Sequence, residues 1–311
     1  MTQAEKNEPA YRVGVDLGGT KTEAILLDPE GTEVHRERRP TPAAAGYDAI
    51  LDNVVALIHD TLAHAPASAP TTIGIGIPGS IDGESHLVRN ANTTILIGHP
   101  LGRDLETRLG RPVVLENDAN CFTLAEARAG AGRQAKLVFG VIMGTGCGGG
   151  IAEDGRVRGG PHGIAGEWGH VSIDPHGPLC YCGNKGCIET LISGSGVQAR
   201  YSDRFPDAEP LTMETIVAGA RAGDERCRPV FDQFLDDFGR ALGGLISILD
   251  PDIVVLGGGL SNIEELYDAG TRRVHHYVFH EKLRTPIVRN ELGDSAGVIG
   301  AAWLGAQSAS L

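Results

Sequence analysis

The sequence is short of positive charge, and this shortage limits the partners that the protein can have. Its 311 residues contain 27 Lys and Arg against 40 Asp and Glu, which gives a formal net charge of −13 at pH 7. Proteins that bind nucleic acid take most of their affinity from Lys and Arg contacts to phosphate. We therefore expect no nucleic-acid partner, although glycine-rich backbone and a metal ion can still bind a nucleotide.

Long apolar runs are also absent from the sequence. No run approaches the ~20 residues that a helix needs to cross a bilayer. The opening stretch, "MTQAEKNEPA", is polar and lacks the apolar core of a signal peptide. These absences predict a cytoplasmic protein with no membrane partner, and its length is enough for two domains.

Cysteine is sparse, but three of the six cysteines fall close together. Cys180, Cys182 and Cys187 follow His170 in the pattern H-x9-C-x-C-x4-C. Because a reducing cytoplasm disfavours disulfides, we expect these residues to bind zinc rather than to be unligated thiols. Four protein ligands close a tetrahedral site and leave no position for water, so this zinc should hold structure.

Two acidic side chains flank the expected metal ligands. Glu167 precedes His170 by three residues, and Glu189 follows Cys187 by two. The zinc would stiffen a loop that presents both carboxylates, which suggests a polar binding site. The alternative is that both glutamates are solvated surface charges, the usual state of this residue type.

Glycine is abundant, and it marks an internal repeat. The stretches "GVDLGGTKTEAILLDPEG" and "KLVFGVIMGTGCGGGIAEDG" both read as strand, glycine turn, strand and second turn. Apolar spacing predicts helices over residues 47–63 and 231–249. The repeat predicts two similar α/β domains that face each other across a cleft, each with a glycine-rich hairpin turn.

Both glycine turns are candidates for binding phosphate. Gly144, Gly146 and Gly149 form G-x-G-x-x-G, but a strand follows where a dinucleotide-binding motif needs a helix. The GxxxxGK[ST] pattern is missing as well. Backbone N–H groups at glycine can approach phosphate closely, so two opposed hairpins suit a nucleoside triphosphate. The alternative for each is an ordinary tight turn.

The stretch "ENDAN" supplies a catalytic candidate. It places Asn117 and Asp118 at the end of a predicted strand and before a predicted helix. Asn and Asp are preferred helix N-caps, which is the alternative interpretation. At the carboxyl end of a strand, an aspartate can also accept a proton from a hydroxyl that attacks a γ-phosphate.

From about residue 11 to about residue 304 the sequence resembles the ROK family of bacterial sugar kinases. The resemblance rests on "GVDLGGTKTEAIL", "GIGIPGSI", "ENDANC", "GTGCGGGI", "AGEWGH", "CYCGNKGCIE", "DPDIVVLGGGLSN" and "GAAW". It implies an actin-like ATPase (ribonuclease H-like) fold, with two similar α/β domains around a cleft. The expected domains are residues 11–118 and 119–296, with a zinc-binding loop at 167–189. A C-terminal helix at about 297–308 would pack back on the first domain.

The resemblance also implies roles for individual residues. Asp118 matches the base that takes the sugar hydroxyl proton, and Asp16 matches a residue that helps to position Mg²⁺. His170 would serve twice, with one ring nitrogen on zinc and the other toward the sugar. The implied sugar contacts are Gly79, Asn117, Asp118, Glu167, His170 and Glu189. The implied ATP contacts are Gly18, Gly19, Thr20, Lys21, Gly144, Thr145, Gly146, Gly148, Gly149, Gly150, Gly257 and Gly258.

The expected function is therefore an ATP-dependent hexose kinase that phosphorylates the 6-hydroxyl of a sugar. "AGEWGH", "NANTTILIG" and "CIETLISGSG" are most similar to the fructokinase branch, so fructose is the expected substrate. Glucokinase, N-acetylglucosamine kinase and mannose kinase of the same family are the alternatives. Trp168 lies in the first of these stretches, and the alternative is that it is a packing residue with no bearing on the choice of sugar.

An alternative of a different class is a noncatalytic sugar sensor or repressor. The first phosphate-turn strand begins at about residue 11, which leaves no room for a DNA-binding region, so we expect an enzyme. The resemblance further implies a homodimer. A phosphoryl donor other than ATP, such as polyphosphate, stays open.

Overall fold

The computed structural model describes residues 10–308, and for residues 306–308 it describes the backbone only. The strands are β1 Tyr11–Leu17, β2 Lys21–Leu27, β3 Glu33–Pro40, β4 Thr71–Ile77, β5 Ser80–Ile81, β6 Val88–Arg89, β7 Val114–Asn117, β8 Leu137–Met143, β9 Cys147–Glu153, β10 Arg156–Val157, β11 Ile253–Gly257 and β12 Ile287–Arg289. The α-helices are α1 Tyr47–Leu62, α2 Leu101–Leu109, α3 Asp118–Ala129, α4 Ile188–Ile192, α5 Gly194–Arg204, α6 Met213–Ala222, α7 Cys227–Leu249, α8 Ala269–Tyr277 and α9 Ala296–Ser308. None of the helices within residues 10–308 is long and apolar enough to cross a membrane.

The chain forms two compact units. The first runs up to Arg128 and also contains Gly155–Ala165 and the chain from Asp294 onward, whereas the second contains Ala129–Asp154 and Gly166–Gly293. This division differs from the expected boundary at residue 118, because it places α3 in the first unit. Cys121 and Leu124 of α3 share a buried apolar cluster with residues of α9, and this burial holds the helix there.

In the first unit a five-stranded sheet runs in the order β3-β2-β1-β4-β7. The pairs β1–β2 and β2–β3 are antiparallel, and β1, β4 and β7 are parallel. Helices α1 and α2 cover one face, and α9 packs against β1 and β4 on the other. Gly14 and Gly74 permit this close approach, because a Cβ on them would lie 2.2 and 2.0 Å from carbonyl oxygens of α9.

The second unit repeats this plan. Within it the strands run β9-β8-β11-β12, with β8 and β9 antiparallel and β8, β11 and β12 parallel. Helix α7 packs on the sheet through fully buried side chains that include Phe234, Phe238 and Leu242. It begins at Cys227, before the expected residue 231, because the Asp224 carboxylate accepts the Cys227 backbone N–H at 2.8 Å.

The predicted α/β class and the internal repeat of architecture are confirmed. Each unit joins an antiparallel hairpin to parallel strands, and each hairpin turn is one of the two glycine-rich stretches. Both turns therefore lie at the carboxyl end of a parallel strand, β1 in one unit and β8 in the other. This end of an α/β sheet is where ligands usually bind.

Candidate functional site

The first glycine turn lies between β1 and β2. The Gly18 N–H donates to the Lys21 carbonyl oxygen at 3.0 Å, and a Cβ on Gly18 would lie 2.8 Å from that oxygen. Thr41 stabilises the turn through two hydrogen bonds. Its hydroxyl donates to the Gly18 carbonyl oxygen at 2.7 Å, and its backbone N–H donates to the Thr20 carbonyl oxygen at 2.9 Å. Gly19, Thr20 and Lys21 are exposed, so the tip of the turn is accessible to a ligand.

Asp16 stands at the end of β1, directly before this turn. Burial raises the pKa of its carboxyl, and the neighbouring Glu23 carboxylate raises it further. Glu23 is itself buried and pairs with Arg36 and Arg38 at 2.9 and 2.7 Å, so its charge is already compensated. A divalent cation beside Asp16 would favour the ionised carboxylate, which is a good ligand for Mg²⁺.

A second carboxylate shares the sheet face of Asp16. Asp16 lies opposite Gly76 in the parallel ladder, and Gly76 lies opposite Glu116. Residues opposite one another share a face, so Asp16 and Glu116 are two strand spacings, about 10 Å, apart with a glycine between them. Burial raises the pKa of Glu116, whereas hydrogen bonds from Asn120 Nδ2 and the Asn117 N–H lower it.

Asp118 begins α3, and its neighbours are held by several hydrogen bonds. Asn117 Oδ1 accepts the Ala119 N–H at 2.9 Å, and Asn117 Nδ2 donates to the Gly79 carbonyl oxygen at 3.1 Å. Glu116 Oε1 accepts from Asn120 Nδ2 at 2.9 Å. The cap interpretation therefore holds for Asn117, which also ties the end of β7 to the Gly79 loop.

Gly79 lies where no side chain fits. A Cβ there would lie 2.8 Å from both the Arg89 carbonyl oxygen and the Ala91 Cβ. The Asn92 N–H donates to the Pro78 carbonyl oxygen at 2.9 Å, which fixes the same loop from the other side. In the first unit the structure thus brings Gly79 and Asn117 into contact, with Asp118 next along the chain.

The second glycine turn lies between β8 and β9. The Gly144 N–H donates to the Gly146 carbonyl oxygen at 2.9 Å and closes the turn. The expected phosphate contacts Gly148, Gly149 and Gly150 lie in β9, where they pair with β8, rather than in the turn itself. Only Gly144, Thr145 and Gly146 of the expected set form the turn.

The His170 and cysteine cluster is assembled as its spacing predicts. One ligand atom from each of His170, Cys180, Cys182 and Cys187 lies within 4.8 Å of all the others. The Sγ atoms of Cys182 and Cys187 are 3.6 Å apart, and Cys180 Sγ is 3.6 Å from His170 Nδ1. Zinc–sulfur bonds of about 2.3 Å in a tetrahedron place ligand atoms at such separations, so the residues fit zinc.

Tyr181 covers the remaining nitrogen of this histidine. Its hydroxyl lies 2.9 Å from His170 Nε2, and the two rings meet edge to face. Although Tyr181 is exposed, local desolvation of its hydroxyl beside His170, followed by the Glu189 carboxylate, raises the pKa of Tyr181 to about 12. In this structure a tyrosine hydroxyl lies where the resemblance implies a sugar hydroxyl.

Trp168 and His170 lie in one 3-10 turn, Trp168–His170, and Glu167 directly precedes it. Burial raises the pKa of Glu167, and nearby His170 lowers it. Trp168 is buried, donates from Nε1 to the Gly148 carbonyl oxygen at 2.9 Å and meets the ring of Phe139 edge on. The packing interpretation therefore fits Trp168, and its ring fixes the turn that presents Glu167.

Glu189 contacts the second glycine turn directly. Its Oε2 accepts the Cys147 N–H at 2.9 Å. Gly258 packs against Met143, the residue before the turn, because a Cβ on Gly258 would lie 2.4 Å from the Met143 carbonyl oxygen. Its φ of +77° also favours glycine at this position. Gly257 ends β11 immediately before it. In the second unit, therefore, Glu189 and the end of β11 contact the turn and the residue before it.

Several residues of these sites carry no signal in the sequence. Thr41 braces a turn 23 residues away from it, and Glu116 is the least distinctive member of "ENDAN". Tyr181 is simply the residue between two cysteines. Ser195, whose hydroxyl donates to the Thr145 carbonyl oxygen at 2.6 Å, lies 50 residues from its partner. Only "ENDAN" itself could have pointed to Glu116.

Comparison with known proteins gives the family. A model of the ROK family matches residues 12–308. The chain is 39% identical over 301 residues to an N-acetyl-D-glucosamine kinase of Pectobacterium carotovorum subsp. carotovorum (strain PC1), and the match covers 94% of this chain and 97% of the relative.

Solved structures show the same likeness. A ROK hexokinase from Thermus thermophilus has a TM-score of 0.87 and 31% identity, with 96% of this chain and 99% of that one covered. A ROK family glucokinase from Streptomyces griseus, in complex with glucose and AMPPNP, has a TM-score of 0.74 and 31% identity, with 96% and 100% covered. The expected fold class, the actin-like ATPase fold of ROK hexokinases, is thereby confirmed.

Proposed function

The chain belongs to the ROK family, as a sugar kinase, and we propose that it transfers the γ-phosphoryl group of ATP to the 6-hydroxyl of N-acetyl-D-glucosamine. The observation that carries the choice of sugar is the 39% identity to the Pectobacterium N-acetyl-D-glucosamine kinase, in a match that covers 94% of this chain. It supports the alternative substrate over fructose, which rested on three short stretches of sequence. The glucokinase complex with AMPPNP supports a nucleoside triphosphate as donor.

Asp118 is the proposed catalytic base. It opens α3 at the carboxyl end of β7, and the residues on either side are held through Gly79 and Glu116. A carboxylate in a fixed position can accept the proton of the sugar hydroxyl as that oxygen attacks phosphorus. Positioning of the two reactants supplies much of the remaining acceleration.

The two glycine turns are the proposed phosphate contacts. The exposed residues 19–21 lie in the first unit and the turn at 144–146 lies in the second, and at Gly19, Gly144 and Gly146 no side chain covers the backbone. Asp16 would hold Mg²⁺, which when bound neutralises charge on the phosphates. Gly257 and Gly258 are the proposed neighbours of the adenosine.

Glu167, His170 and Glu189 are the proposed sugar contacts of the second unit. All three are half-buried, and they flank or belong to the metal cluster. Zinc, held by His170 and the three cysteines, would fix the loop that carries them and would take no part in phosphoryl transfer.

The product of the reaction tests this proposal. Zinc-containing protein incubated with Mg·ATP and N-acetyl-D-glucosamine should yield ADP and a sugar phosphate whose phosphorus couples to the protons on C6. Phosphate on another carbon would contradict the assigned hydroxyl. ADP release that does not depend on the sugar would indicate an ATPase, and no ADP release at all would favour a sugar sensor; either result would contradict the kinase. The homodimer that the resemblance implies remains a prediction, which sedimentation velocity tests.

A further inference from the structure

We propose that α4, through Glu189, links the cysteine cluster to the turn at 144–147, so that Glu189 positions the nucleotide turn in addition to contacting the sugar. This inference rests on the proposed function, because it takes the turn to be a phosphate contact. It assigns to one side chain a role on both substrates. All of the residues that carry it lie in the second unit.

The segment around α4 is bonded to the turn at three places. Glu189 Oε2 accepts the Cys147 N–H at 2.9 Å. The Gly194 N–H donates to the Gly144 carbonyl oxygen at 2.8 Å. The Ser195 hydroxyl donates to the Thr145 carbonyl oxygen at 2.6 Å. The segment thus contacts both ends of the turn, and its displacement would move the turn.

The first turn of α4, which carries Glu189, starts at the cluster. Cys187 directly precedes the helix, and its Sγ lies 3.6 Å from Cys182 Sγ. The Ile188 N–H donates to the Val171 carbonyl oxygen at 3.0 Å, next to His170. Ligation of the cluster would therefore fix where α4 begins.

Helix α4 is short and its apolar side is anchored. Ile188, Leu191 and Ile192 are buried in the main apolar cluster of the second unit, together with Phe139 and Met143 of β8. A five-residue helix packed in this way cannot bend freely between its ends. If a metal ion fixes the position of Cys187, the position of Glu189 is therefore fixed as well.

The carboxylate leaves the turn little freedom. A Cβ on Gly146 would lie 2.7 Å from Glu189 Oε2, so the turn and the carboxylate are in close contact. With Oε2 committed to the Cys147 N–H, Oε1 is the oxygen that remains for a sugar hydroxyl. A sugar held by Glu189 would then restrict the turn that receives the phosphates, which couples the two substrates through one side chain.

Binding of Mg·AMPPNP without sugar, measured by calorimetry, tests the link. Glu189→Ala removes the acceptor of the Cys147 N–H. It should raise the Kd for the nucleotide by roughly five- to tenfold, the change in affinity that corresponds to the loss of one hydrogen bond. Glu189→Gln retains an oxygen acceptor and should stay within about twofold of wild type. Glu167→Ala is the matched control, because Glu167 is also a proposed sugar contact but has no bond to the turn among the described contacts.

Two results would overturn the link. One is nucleotide binding by Glu189→Ala within about twofold of wild type, and the other is an equal loss in Glu167→Ala. If Glu189→Ala does not fold, Glu189→Asp provides the second variant, because its shorter side chain withdraws the acceptor from the Cys147 N–H. Faster hydrogen exchange of the Cys147 amide supports the link, and unchanged exchange refutes it. Wild-type protein that binds Mg·AMPPNP but phosphorylates no sugar would refute the proposed function alone.

Discussion

The hydroxyl of Tyr181 lies 2.9 Å from Nε2 of His170, while Nδ1 of the same ring faces the thiol of Cys180 at 3.6 Å. When Nδ1 ligates a metal, the ring proton resides on Nε2. This single N–H donates to one acceptor at a time. A sugar hydroxyl that bonds to this nitrogen must therefore displace the tyrosine hydroxyl. Tyr181 is largely exposed, with 76% of its surface accessible, so it has room to leave.

Tyr181→Phe should strengthen the binding of N-acetyl-D-glucosamine. The variant retains the ring and removes the competing hydroxyl, so we expect the Kd, measured by calorimetry without nucleotide, to fall by roughly three- to tenfold. Tyr47→Phe, which removes a hydroxyl bonded to Asp104 in the first unit, should leave the Kd unchanged. Weaker binding by Tyr181→Phe would show that the hydroxyl contacts the sugar instead of competing with it.

Asp118→Asn should abolish most of the turnover while sugar binding persists. Asn cannot accept the hydroxyl proton, and loss of a general base lowers kcat by roughly 10²–10⁴-fold. Because Asn has the size of Asp, the Kd for the sugar should change little. Steady-state kinetics and calorimetry on the same preparation check both parts. A kcat within about tenfold of wild type would remove Asp118 from the role of base.

Removal of the cysteine cluster should cost the protein its zinc and its affinity for the sugar. Cys187→Ser replaces a thiolate by a poor zinc ligand, so we expect no stoichiometric zinc by elemental analysis, a lower Tm and weak sugar binding. Cys227→Ser is the control, since Cys227 is a buried cysteine at the start of α7, outside the cluster. Wild-type protein that stays zinc-free after reconstitution would refute the metal site.

Gly74→Ala should destabilise the first unit. A Cβ there would lie 2.0 Å from the Ala301 carbonyl oxygen, so α9 must move away from β4, and overpacking of this kind costs about 1–3 kcal/mol. Gly244→Ala lies on the exposed face of α7, where the added Cβ meets no atom within 4 Å, and it should stabilise the protein by about 0.5–1 kcal/mol. Urea unfolding of both variants measures the difference. Equal stability of the two would show that α9 does not require the glycine.

Local pattern was enough to predict several elements and the grouping of His170 with three cysteines. The apolar stripe over residues 47–63 corresponds to α1, Tyr47–Leu62, and the two glycine stretches are both hairpin turns. The four expected metal ligands lie within 18 residues of one another, so their spacing alone indicates a common site. In these cases the information lies in neighbouring residues, and the physics is that of turns and periodicity.

Contacts between distant parts of the chain could not be predicted in this way. Glu189 and Cys147 are 42 residues apart, and nothing in either stretch indicates that a carboxylate accepts that N–H. The placement of Gly148, Gly149 and Gly150 in β9 depends on their pairing with β8 and, for Gly149, on the close approach of Trp168. The choice of sugar is a further case, because three short stretches favoured fructose where the whole-chain comparison favours N-acetyl-D-glucosamine.

The most direct test of the proposed function is a comparison of kcat/KM for N-acetyl-D-glucosamine, glucose, mannose and fructose, with Mg·ATP and zinc-containing protein. We expect sugar-dependent ADP release whose kcat/KM is highest with N-acetyl-D-glucosamine, by about tenfold or more over the other three sugars. A higher kcat/KM for fructose or another hexose would contradict the proposed substrate, and no sugar-dependent release with any of them would contradict the kinase itself.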